Sequence, residues 1–350
     1  MQESSEELRS EEELRRVLRT KTDPLAALLQ GVRLMGHHFP VGLGFLLVYA
    51  AVSTAVASYL RDWSQGLLEN PGQDHDVLNS VFLFSFFFLA VYTFIQFLKR
   101  DSVTRASWVP ALFTVAPLAL YGAIRIADSG AANNQIAPLV PGLSILAWDL
   151  VWESFAGAVL VFVWIRLGHA AMNGVTADLS EVFADLRRQI VDVAVVHGAK
   201  FHAVQIGLQV IIPGIFYALS LAFADMVVVL DPEKPALRRS SQLTYGMRGR
   251  IFRLLLVYVL VSMALTLAAF VAIDGTPQGL AGRVVDMMMN PAAPSAATMF
   301  ARGVIAGLGS WAVTLALLVL FREREGQVRA KRELRDLLKR RETGEATASE

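Results

Sequence analysis

Long apolar runs and short, heavily charged stretches alternate along the chain. Residues 41–60, 77–98, 107–127, 145–167, 251–273 and 299–321 are each apolar enough and long enough to cross a membrane as a helix. A seventh apolar region, 199–230, does not fit that description. As one straight helix it would measure about 48 Å, well beyond a hydrocarbon core of about 30 Å. Pro213-Gly214 also interrupts it near the middle, and an interior proline removes a hydrogen-bond donor and clashes with the preceding turn. The pattern predicts two half-helices folded into a hairpin, hinged at Pro213 and Gly214. Irregular backbone at membrane depth must be shielded from lipid, so the hairpin belongs inside the bundle.

The polar stretches are patterned as helices too. In residues 4–20, Ser4 and Ser10 each precede a glutamate by three residues, and Glu11/Arg15 and Glu12/Arg16 pair at four-residue spacing. Asp23-Pro24 opens a more apolar helix to about Met35, whose leucines and Val32 suit the membrane interface while Arg33, His37 and His38 face water. Residues 178–192 have helical periodicity but too much charge to span, and read as an interfacial helix on the cytoplasmic side. The expected fold is an all-α, polytopic helical membrane bundle with about six full transmembrane spans, a Pro-Gly-broken hairpin and amphipathic interfacial helices. It divides into cytoplasmic and interfacial helices at 1–40, the membrane domain at 41–321, and a basic cytoplasmic helix with a disordered tail at 322–350.

Composition agrees: 54% of the 350 residues are hydrophobic, and the mean hydropathy is +0.47. The charged first 20 residues contain no apolar core of a cleavable signal, so the first span is expected to direct insertion. There is no cysteine, which excludes disulfides, thiolate metal sites and cysteine catalysis. A net charge of +1 conceals a strong asymmetry, since basic residues crowd into 99–105, 187–188, 234–250 and 322–341. With both termini inside and the broken segment returning to its own side, nearly all of the 32 Lys and Arg residues are cytoplasmic. A single crossing at 199–230 would export the connector and the basic tail.

Few residues carry candidate chemistry. Asp149 and Glu153 share one face of the fourth span, with Arg125 at matching depth on the third. An ion pair joining the two spans competes there with a proton or cation site. Gln205, Gln209 and Asp225 are further intramembrane polar candidates, and Asp225 would either pair with Arg238 or Arg239 or line a small polar cavity. His197 and Lys200 read as interfacial. His197 and His202 are five apart with no carboxylate between them, unlike a zinc-protease helix, so no metal or cofactor is expected. Arg238, Arg239, Ser240, Thr244, Arg248 and Arg250 form a basic, hydroxyl-bearing collar where an amphipathic piece meets the last pair of spans. Its Ala236, Ser240, Leu243 and Met247 face would rest on the bilayer, and its arginines would meet anionic headgroups.

Pro213-Gly214, Ala236-Leu237-Arg238-Arg239-Ser240, Leu243-Thr244, Gly246 and Arg250 together resemble the bacterial YciC-type inner-membrane protein family. That family is related to the membrane domain of some glycerophosphodiester phosphodiesterases. The resemblance spans roughly 60 residues and implies a multi-pass fold in the bacterial cytoplasmic membrane. The soluble phosphodiesterase barrel needs about 250 residues, and no such stretch exists here, so its activity does not carry over. Nucleophile-elbow and phosphate-loop motifs are absent. A faint repeat also pairs Ala27-Leu28, Leu46-Leu47-Val48-Tyr49 and Ser53 with Ala236-Leu237, Leu255-Leu256-Val257-Tyr258 and Ser262. The leading expectation is a non-enzymatic scaffold or lipid- and envelope-homeostasis factor, partnered by membrane lipids and by a protein at its charged terminal helices, and not by nucleic acid. A small secondary transporter or channel with its site at the hairpin is the alternative, and intramembrane hydrolysis a third.

Overall fold

The computed structural model describes residues 2–69, 152–208, 211–274 and 295–348, and every regular element among them is helical. The charged N-terminal helix α1 (Gln2–Arg19) leads to α2 (Pro24–His37), which Asp23 caps by accepting from the Leu25 N–H at 2.8 Å. After a single non-helical residue, α3 (Phe39–Glu69) follows. A π-helical turn (Glu153–Gly157) opens α4 (Ala158–Met172), and α5 (Leu179–Leu208) comes next. The return limb of the hairpin is α6 (Ile212–Ser220) and α7 (Ala224–Leu230). Then come α8 (Ala236–Thr244), α9 (Arg248–Asp274) and the 53-residue α10 (Ala296–Ala348). Five apolar stretches among the described residues are long enough to cross a membrane: Phe39–Leu60, Glu153–Met172, Ile212–Leu230, Arg248–Ala269 and Ala296–Lys339. The chain is a helical membrane protein. The expected spans at 77–98 and 107–127 lie outside the described residues.

α10 is the central post, with α1, α2, α3, α4 and α9 packed on it. Small residues allow these helices to approach closely. A Cβ on Gly31 of α2 would come within 2.7 Å of the Ala312 carbonyl oxygen and 2.8 Å of the Ala316 nitrogen, so the two backbones nearly touch. Gly307 receives Leu46 from α3, and Gly309 receives the Tyr258 ring from α9. Trp311 stacks between Phe39 and Trp164 at 6.0 and 5.7 Å. Thr22 meets Glu323, Gly31 meets Ala312, and Ala50 meets Gly303, so α2 and α3 run antiparallel to α10 in one line. α2 is therefore packed into the bundle along α10. Its exposed Leu25, Leu29 and Val32 form the outward stripe.

Three expectations are corrected. The charged 178–192 segment and the entry half of the hairpin form one continuous helix, α5, about 45 Å long, because nothing between them breaks helical backbone. The chain reverses before Pro213, around Ile211, whose φ is +59°. Pro213 then stands in the first turn of α6, where a missing N–H costs nothing, and Gly214 is buried beside it. The tail expected to be disordered continues α10 as helix to Ala348.

Candidate functional site

The hairpin packs α6 and α7 back along α5. That antiparallel arrangement brings Asp225 of α7 opposite His197 and Lys200 of α5. Asp225 is 2% exposed, with Oδ1 3.2 Å from His197 Nδ1 and Oδ2 bonded by Lys200 Nζ. Both carboxylate oxygens are thus engaged from one helix, through residues three apart that share a face. The sequence alone left His197 and Lys200 at the interface and offered Asp225 either Arg238 or Arg239 as partner or a small polar cavity. The structure replaces those partners, because the hairpin places α5 side chains nearer than the α8 arginines.

His197 also connects this cluster to the π-helical turn. A methyl built on Gly157 would collide with Glu153 Oε2 and lie 3.3 Å from His197 Nε2, so Glu153 and His197 share the space above this glycine. The Tyr49 hydroxyl donates to Glu153 Oε1. Tyr258, the equivalent of Tyr49 in the faint repeat, donates its hydroxyl to the Ala306 carbonyl at 3.5 Å instead. A line of polar groups, Tyr49–Glu153–His197–Asp225–Lys200, therefore crosses an otherwise apolar interior. A His197 Nδ1–H donating to Asp225 leaves Nε2, on the Glu153 side, as the basic nitrogen of the ring. Arg125, Asp149 and Gln209 lie outside the described residues, and Gln205 falls on α5.

The basic collar separates into different environments. Ser240 and Thr244 are fully buried at 0% exposure, so the headgroup role expected of them is corrected. The helix breaks between α6 and α7, which leaves the Ser220 carbonyl and Phe223 N–H without helical partners. Ser240 Oγ accepts from Phe223 N at 3.1 Å and donates to Ser220 O at 3.0 Å, while Thr244 Oγ1 donates to Ser220 O at 3.3 Å. The Ala236–Ser240–Leu243–Met247 face therefore covers this second interruption instead of the bilayer. Gly246, at φ +84°, turns the chain from α8 into α9.

Arg250 is likewise withdrawn from headgroups. Its guanidinium makes a fork to Glu323 at 2.8 and 2.9 Å and also donates to the Thr22 carbonyl. Glu323 accepts the Thr22 N–H at 2.9 Å, and Gln327 Nε2 donates to Thr20 O at 2.7 Å. This node ties the start of α9, the α1–α2 linker and α10 together. Arg248 lies over the Phe216 ring at 4.9 Å. Among the collar arginines, Arg238 is exposed and Arg239 half-buried. Glu323 went unnoticed in the sequence because it sits among the alternating charges of Arg322-Glu323-Arg324-Glu325.

Comparison with family models, curated proteins and solved structures finds no match. Among the described residues, no group of three or more His, Asp or Glu side chains is arranged to hold a metal.

Proposed function

We propose that this protein is a non-enzymatic scaffold of the bacterial cytoplasmic membrane. Its partners would dock on a charged helical arm supported by the apolar bundle. The observation that carries this reading is α10 itself, which at 53 residues is about 80 Å long against a core of about 30 Å. The excess is the basic stretch 322–341 and the residues after it. α1 packs on α10, and the Thr20 and Thr22 bonds direct it along this distal part. The six glutamates of α1 suit the basic side of α10 and leave the outer faces of both helices for a partner. The resemblance to YciC-type proteins and the basic connectors support a cytoplasmic position for the arm and both termini.

The polar line Tyr49–Glu153–His197–Asp225–Lys200 favours a second reading, proton- or ion-coupled transport. The two readings separate in a deletion strain grown under envelope stress. Complementation should survive Asp225→Asn combined with Lys200→Met, and should fail when residues 328–350 are removed from a chain that still inserts at wild-type level. The reverse result would replace the scaffold with the transporter.

A further inference from the structure

A groove of about 240 Å³ runs between α2 and α9, lined by Asp23, Pro24, Leu25, Leu28, Arg253, Leu254 and Val257. We propose that this groove binds a zwitterionic, amine-bearing phospholipid of the phosphatidylethanolamine class. The phosphate would lie on Arg253, the ammonium on Asp23, and an acyl chain along Leu25, Leu28 and Val257.

Position and charge select this occupant. Arg253 follows Arg250 by about one helical turn, and Asp23 directly follows Thr22, the residue that joins the Arg250–Glu323 node. The mouth of the groove therefore lies where charged side chains give way to the apolar stretches of α2 and α9. Both polar groups are exposed there. Arg253 has no carboxylate partner among the described residues, and its one bond, Nε to the Gly249 carbonyl at 3.4 Å, leaves both terminal amino groups available. One Asp23 oxygen accepts the Leu25 N–H, which leaves the other free to accept from an ammonium. A cation and an anion lining one groove match a headgroup carrying both charges. An anionic headgroup without an amine would meet Arg253 but be repelled by Asp23. The trough beneath is apolar, and Leu25 and Val257 are exposed within it, as suits a surface completed by a lipid chain.

The site does not depend on the arm or on the polar line. Full-length protein, stripped of lipid in detergent, is offered equal amounts of palmitoyl-oleoyl phosphatidylethanolamine and phosphatidylglycerol, and bound lipid is counted by native mass spectrometry. Wild type should retain the ethanolamine lipid over the glycerol lipid by about fivefold, the upper end for a solvent-reachable charge pair. Asp23→Asn keeps a capping oxygen for α2, so the fold persists, and the preference should fall to about even. Arg253→Gln should lower retention of both lipids, and so should Val257→Trp, which fills the trough without touching a charge. Arg238→Gln should change neither. Equal retention of the two lipids by wild type, a preference for the glycerol lipid, or unchanged binding by Arg253→Gln would overturn the proposal.

Discussion

Two carboxylates, Asp225 and Glu323, are each held by basic side chains, but they organise different parts of the molecule. Asp225 joins helices that are neighbours in sequence, through partners 25 and 28 residues away. Glu323 joins regions 73 and 301 residues away, at the level where the bundle passes into its charged arm. The first lies between α5 and α7 with its carboxylate buried, while Lys200 keeps 24% of its side chain exposed. The second accepts backbone donors as well and lies nearer to water. The contrast teaches that a buried acid near the centre of a bundle fixes how a hairpin closes, whereas one at its edge fixes which distant segments meet.

The contrast predicts unequal costs. Asp225→Ala removes the partner of both Lys200 and His197 in a low-dielectric interior, and should destabilise the protein by about 3–5 kcal/mol. Asp225→Asn with Lys200→Met should recover much of that loss. Unfolding followed in mild detergent tests this, and additive single-mutant losses would reject the coupling. Glu323→Ala should cost about 2 kcal/mol, since water can reach part of the node. Its signature is local: trypsin should cut at the exposed Lys21 sooner than in wild type, while the bundle stays intact. Unchanged cleavage would remove the latch role of the node. The smallest contrast lies within the former collar. Ser240→Ala leaves the Phe223 N–H without its acceptor and should cost about 1–2 kcal/mol, whereas Arg238→Gln, on the surface, should stay within about 0.5 kcal/mol. Equal effects of the two in the same unfolding assay would mean that α8 does not brace the break.

The sequence was legible wherever a one-dimensional signal carries the physics. Apolar run length identified 41–60, 251–273 and 299–321 as helices, and the excess length of 199–230 together with charge balance required a chain reversal. Glu153 and Asp225 were marked because ionisable groups in apolar runs are rare. Partner choice was not legible, because it depends on which helices become neighbours. Lys200 and Arg250 look alike as cations at the ends of apolar runs, yet one neutralises an interior aspartate and the other clamps a distant glutamate. Ser240 and Thr244 looked like surface hydroxyls because the break at 221–223 contains neither proline nor glycine. The packing of α2 on α10 was hidden for a related reason. Its moderate amphipathicity suits a membrane surface, and only Gly31 hints that another backbone approaches.

The fit of Gly31 against Ala312 and Ala316 sets an order on biogenesis. α2 leaves the ribosome well before its packing surface on α10 is made. At about 5–20 residues per second, the N-terminal helices wait on the order of 15–60 s with their small-residue face open to lipid, insertase or protease. Closure of the bundle thus reports the arrival of α10. A chain that stops short of α10 would keep its N-terminal face unpaired, and a quality-control protease could recognise it there.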